Sequence, residues 1–94
     1  MSKETESDGE GALAVSFGLR LAKLRDRIGI DATELGRRAG MSQAYVWRLE
    51  KGRAHPNLRN LARLAQALEV SLSTLLEEVE YEAVPPQNRS YRKN

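Results

Sequence analysis

The chain has 94 residues, 40% of them hydrophobic, and a formal net charge of +2, the size of one small domain with tails. It has no cysteine and a single histidine, His55, which excludes disulfides, thiolate metal sites and a histidine metal cluster. No apolar run approaches the roughly 20 residues of a membrane-spanning helix, and the first ten residues are polar and acidic rather than signal-like, so a cytoplasmic location is expected.

Charge is unevenly spread. Residues 1–15 carry Lys3 against Glu4, Glu6, Asp8 and Glu10, a net of −3; residues 16–78 carry +4 and residues 79–94 carry +1. A basic centre behind an acidic leader suits a polyanionic partner, although a mildly basic surface is common.

In chain order, residues 1–15 read as a flexible acidic leader. Within it, Ala12-Leu13-Ala14-Val15 either extends the first helix or pairs with another segment. Ser16 can cap a helix running to about Ile28, with Phe17, Leu21, Leu24 and Ile28 on one face, and Gly29 following as a stop. Asp31 can cap a second helix to about Arg38, and Glu34 three residues on completes a capping-box pattern. Gly36 inside that helix costs about 1 kcal/mol against Ala. It is either tolerated there or a close-contact position where two helices cross.

Gly40 then stops the second helix, because glycine reaches the left-handed conformation of a helix end without a Cβ clash. Ser42 can cap a third helix to about Lys51, ended by Gly52. Leu35, Ala39, Val46 and Leu49 are the inward positions of this pair. Two helices joined by a short glycine-containing turn form the helix-turn-helix pattern, whose second helix enters the major groove of DNA.

Residues 53–56 read as a loop, and Asn57 can cap a fourth helix whose apolar stripe is Leu58, Leu61, Leu64, Ala65 and Leu68. Ser71 or Ser73 starts a fifth, with Leu72, Leu75, Leu76 and Val79 on one face. Beyond Glu80 the pattern weakens. Tyr81, Ala83 and Val84 continue the helix or run extended, Pro85-Pro86 ends any helix, and residues 87–94 read as a polar, basic tail. Within that tail Arg89, Arg92 and Lys93 are more readily solvated than phosphate-bound. The expected fold is all-α, five helices of roughly 7 to 13 residues over 16–79, between flexible segments 1–15 and 80–94.

The run from Phe17 to Glu77 resembles the Cro/CI-type (XRE) helix-turn-helix family. The matching pieces are FGLRLAKLRDRIGI, TELGRRAGMS and YVWRLEKGRAHPNLRNLARLAQALEVSLSTLL. Each is weak alone; Leu35, Gly40, Glu50-x-Gly52, Pro56 and Ala65-x-x-Leu68 at matching spacing are specific together. The resemblance implies a compact, lambda-repressor-like DNA-binding bundle. Two positions depart from the family. Ala32 stands where Gln or a similar polar residue often contacts DNA, and Trp47 stands where a small polar residue is common. The resemblance also implies a partly buried ion pair between Arg25 and Glu50, joining the first and third helices.

Helix geometry bears on the implied contacts. At 100° per residue, Val46 and Leu49 mark the inward face of the third helix, with Tyr45 and Glu50 at its flanks. Ala44 and Arg48 point away, and Gln43 and Trp47 lie together on one side. Gln43, Ala44, Trp47 and Arg48 match the family's base-reading positions. Arg48 can donate twice to guanine, Gln43 can pair with adenine, and Ala44 can touch a thymine methyl, each bidentate pair giving about 1–3 kcal/mol of discrimination. For Trp47 the alternatives are base contact, packing on a neighbouring helix, or a protein partner.

Candidates for phosphate are Ser42, Lys51, Arg53 and Asn57, with the hydroxyl of Tyr45. The backbone N–H groups at Ala32 and Thr33, and those opening the fourth helix, join them. Arg37 and Arg38 are within range but can face away.

The expected function is a sequence-specific regulator on double-stranded DNA. It is expected to work as a homodimer paired through Leu72, Leu75, Leu76 and Val79, unless that stripe only closes the monomer core. The alternatives are an antitoxin-like module with a small protein partner, with Trp47 or residues 81–84 as the contact, or a restriction–modification controller protein. No Ser/His/Asp set or glycine-rich phosphate loop is present, so no enzyme activity, cofactor or metal is expected.

Overall fold

The computed structural model describes residues 2–80, with side chains from residue 11 onward. The expectations placed on residues 81–94 lie outside the described residues. Five helices follow in order: α1 Ser2–Arg27, α2 Ala32–Ala39, α3 Gln43–Glu50, α4 Leu58–Leu68 and α5 Leu72–Leu75. The described residues contain no strand.

Four of the five expected caps are made, Ser16 being the exception. Asp31 opens α2 by accepting the Glu34 N–H at 2.8 Å, and Ser42 opens α3 by accepting the Tyr45 N–H at 3.0 Å. Asn57 opens α4 by accepting the Asn60 N–H at 2.8 Å, and Ser71 opens α5 by accepting the Thr74 N–H at 3.0 Å. Each satisfies a donor that the helix cannot pair internally, an interaction of about 1 kcal/mol. Gly40 closes α2 in the left-handed region at φ 73°. The second half of the capping box is absent, because the Glu34 carboxylate turns to Arg37 and Arg38.

One leucine from every helix meets at the centre. Leu21, Leu35, Leu49, Leu64 and Leu75 are all fully buried, each contributing about 1.5–3 kcal/mol over its exposed state. Phe17, Leu24, Val46, Ala65 and Leu68 complete the packing. Around this centre α1 lies on α3 and α5, α2 on α3 and α4, and α4 on α5.

Three expectations are corrected. Helix α1 does not begin at Ser16 but runs through it, and the Ala12–Val15 run extends the first helix, the first of its two expected roles. Ala14 is buried, and Val15 lies against the Gly52 backbone, closer than a Cβ on Gly52 would tolerate. These contacts hold the Ala12–Val15 run as helix, and Ser16 Oγ is left to accept the Glu80 N–H at 3.0 Å. At the other end the helix stops at Arg27, which leaves Ile28 exposed while Ile30 packs on the core.

The expected stripes on α4 and α5 also shorten. Leu58 is 72% exposed because it sits in the first turn of α4, ahead of the part that packs. Helix α5 is a single turn, and Leu76 caps it rather than continuing it. Leu75 therefore belongs wholly to the monomer core, while Leu72 and Leu76 stay exposed and Val79 is half-buried against the core.

Gly36 resolves to the close-contact reading, with a difference in partner. A Cβ there would lie 2.6 Å from the Met41 carbonyl oxygen, so the glycine makes room for the turn rather than for a helix crossing. Gly18 on α1 is tighter still: a Cβ would meet the Leu49 and Glu50 carbonyl oxygens at 2.5 Å each. These are backbone atoms that cannot rotate away. Gly18→Ala should lower unfolding free energy in urea by about 2–3 kcal/mol; a loss under about 0.5 kcal/mol would contradict the contact.

Candidate nucleic-acid interface

The surface of interest is the outer side of α3 and the turn that follows it. Val46 and Leu49 are fully buried, while Gln43, Ala44, Trp47 and Arg48 are exposed, with Trp47 at 46%. The half-buried positions are Tyr45 and Glu50. This is the distribution that helix geometry predicts, and it presents one side of an eight-residue helix to solvent.

Two interactions position this helix from behind. Arg25 donates from Nε and Nη2 to the two carboxylate oxygens of Glu50, at 2.6 and 3.1 Å, and from Nη1 to the Ile30 carbonyl at 2.7 Å. The side chains are 20% and 11% exposed, so the pair expected between α1 and α3 is present and bidentate. Hydrogen bonding to Glu50 raises the Arg25 guanidinium above its ordinary pKa, against the opposing effect of burial. The second is Asn60 on α4, whose Nδ2 donates to the Tyr45 hydroxyl at 3.2 Å. That leaves the Tyr45 O–H itself free to donate outward.

The cations at the interface rest on aromatic rings. Arg48 stacks over Tyr45 at 5.4 Å from the ring centroid. Lys51 and Arg53 both lie over Trp47, at 6.0 and 5.4 Å. A ring face attracts a cation without neutralising it, so these three keep their charge and their donors. Arg37 and Arg38 instead have donors committed to a carboxylate: both bond to Glu34, at 2.6 and 2.8 Å. Those two hydrogen bonds draw the Glu34 carboxyl down to about 2.

The remaining phosphate candidates divide by what they already hold. Thr33 is exposed and Ala32 half-buried at the start of α2, where Asp31 already occupies the Glu34 N–H. Ser42 and Asn57 are exposed but each spends an oxygen on its own cap. Lys51 and Arg53 are exposed beside α3. Among the described residues no group of three or more His, Cys, Asp or Glu could hold a metal ion.

Two residues that position other elements escaped sequence reading. Arg20 is 6% exposed and donates to the Thr74 carbonyl, its Nη2 at 2.7 Å, and to Glu77 at 3.2 Å, tying α1 to the end of α5. Its spacing from Phe17 and Leu24 puts it on the buried face, a signal that was available. Asn60 carried no such signal, since its partner is set by how α3 and α4 cross.

Comparison with known proteins places these features in a family. Residues 16–78 match the family model described as a helix-turn-helix domain. The chain is 44% identical over 54 residues to an uncharacterised HTH-type transcriptional regulator, y4dJ, of Sinorhizobium fredii, covering 57% of this chain and 70% of that protein. It is 31% identical over 63 residues to the HTH-type transcriptional regulator SinR of Bacillus subtilis, covering 66% of this chain and 57% of that one. Among solved structures, the restriction-modification controller protein C.AhdI from Aeromonas hydrophila is similar with a TM-score of 0.65 and 34% identity, over 66% of this chain and 94% of that one. The clp gene regulator ClgR from C. glutamicum is similar with a TM-score of 0.68 and 28% identity, over 80% of this chain and 96% of that one.

Two measurements check this geometry. Arg25→Met leaves the Glu50 carboxylate half-enclosed without its partner, and should cost about 2–3 kcal/mol of stability in urea; a cost below about 0.5 kcal/mol would remove the pair as a positioning device. For Glu34, a folded pKa below the ordinary 4.5 means that pairing stabilises the fold above pH 4.5 and is lost as pH falls through about 2. An NMR titration of its carboxyl carbon should therefore show a midpoint near 2, rising with added salt. A midpoint near 4.5 would show that Arg37 and Arg38 do not hold it.

Proposed function

The chain belongs to the helix-turn-helix domain family, of Cro/CI (XRE) type, and from that membership we propose that it is a DNA-binding transcription regulator reading the major groove with α3. The observation that carries this reading is the division of α3 into a buried Val46/Leu49 face and an exposed Gln43/Ala44/Arg48 face. Arg48 reads guanine through its in-plane N–H donors, which stacking over Tyr45 leaves free. Gln43 reads adenine and Ala44 meets a thymine methyl. Ser42, Asn57, Lys51, Arg53, the Tyr45 hydroxyl and the Ala32 and Thr33 N–H groups hold phosphate.

The protein acts by binding, not catalysis, and does so in the cytoplasm. In support, none of the helices described is long and apolar enough to cross a membrane. It binds as a homodimer, because one short recognition helix gives limited affinity and two-fold pairing doubles the site. Leu72 and Leu76, exposed one turn apart, supply the pairing surface, and Val79 flanks it.

A second reading, the controller protein of a restriction–modification system, is favoured by the similarity to C.AhdI, which is matched over 94% of its length. The two readings part on which genes the bound sites adjoin, a controller's sites being expected beside restriction and modification genes.

Selection of bound duplex from a random pool tests the proposal. The expected product is a motif with two related half-sites, held by a species that sediments as a dimer. Arg48→Ala and Gln43→Ala should each relax one position per half-site, at about 1–3 kcal/mol of lost discrimination. An unchanged motif in both variants would refute the assignment of readers, and a monomer at tens of micromolar would refute the pairing.

A further inference from the structure

Trp47 is the one residue of the exposed α3 face that has no obvious place in the reading above. It is the only tryptophan of the chain, 46% exposed, at a helix position where a large ring is not needed for packing. Its ring is occupied. The Lys51 ammonium lies 6.0 Å and the Arg53 guanidinium 5.4 Å from the centroid.

The local backbone brings both cations to it. Lys51 follows Trp47 by one helical turn, and its N–H donates to the Trp47 carbonyl at 2.9 Å. Gly52 then turns the chain at φ 73°, and the Arg53 N–H returns to the Arg48 carbonyl at 2.8 Å. The chain therefore doubles back, and Arg53 reaches the same ring from the far side of the turn in sequence.

We propose that Trp47 is a positioning residue: its ring holds Lys51 and Arg53 in place for the DNA backbone, and it does not itself read a base. The inference rests on the DNA-binding reading of α3. Long basic side chains are mobile when free, and ordering them on a phosphate is costly. A ring that gathers both beforehand removes part of that cost without cancelling their charge, which a carboxylate at the same place would do. The effect is on affinity for any duplex, because phosphates carry no sequence.

The test is a double-mutant cycle on the full chain, reading affinity for the selected duplex and for a scrambled one. Trp47→Leu should weaken both duplexes alike, about tenfold, with the selected motif unchanged. Trp47→Phe, which keeps a ring face, should retain most of the affinity. In a background carrying Lys51→Met and Arg53→Met, Trp47→Leu should change affinity by less than about twofold, because the groups it acts through are gone. Without DNA, the same Lys51→Met and Arg53→Met pair should shift the emission of the single tryptophan while the thermal midpoint stays close to that of the parent. Equal losses from Trp47→Leu in both backgrounds, or a change in the selected motif, would overturn this inference and leave the DNA reading intact. A parent protein that binds neither duplex would overturn both.

Discussion

The back of helix α3 touches helix α1 backbone to side-chain-free backbone. At Gly18 the carbonyl oxygens of Leu49 and Glu50 occupy the space that any Cβ would need, so the last turn of α3 sits directly on α1. The rest of the interface follows from that contact. It sets the depth at which Val46 and Leu49 are buried, and it brings Glu50 within reach of Arg25 for a two-pronged bond. With its inner face pinned this way, α3 has one orientation left, and the Gln43, Ala44 and Arg48 side faces out.

Seven of the basic residues fall into two uses, and their partners tell them apart. Arg20, Arg25, Arg37 and Arg38 meet carboxylates. Arg20 and Arg25 also bind backbone carbonyls, so both join α1 to other parts of the fold. Arg48, Lys51 and Arg53 meet aromatic rings instead, and among the described residues none of them forms a salt bridge. A carboxylate would cancel their charge, whereas a ring orders them and leaves it available. The field of the recognition surface is therefore more positive than a net charge of +2 suggests.

The local signals were legible because each is short and has one physical meaning. Asp31, Ser42, Asn57 and Ser71 cap as their side chains allow, and Gly40 ends α2 at the positive φ that a residue with a Cβ avoids. The three-to-four spacing of Val46 and Leu49 was enough to assign the faces of α3. Where local reading failed, the deciding partner was remote. Ser16 looks like a cap, but Val15 meets Gly52 and Ser16 meets Glu80, so the helix runs through both. Leu75 looks like part of an exposed stripe, but α5 ends after one turn and Leu75 closes the core.

The amino-acid sequence by itself determined the helix-turn-helix and the side of α3 that faces solvent, because caps, stops and helical periodicity act within a few residues and need no knowledge of the rest. Tertiary structure alone decided how far α1 extends and that Gly18 admits the last turn of α3. Those outcomes depend on which distant atoms arrive at the same point, and spacing along the chain does not encode that.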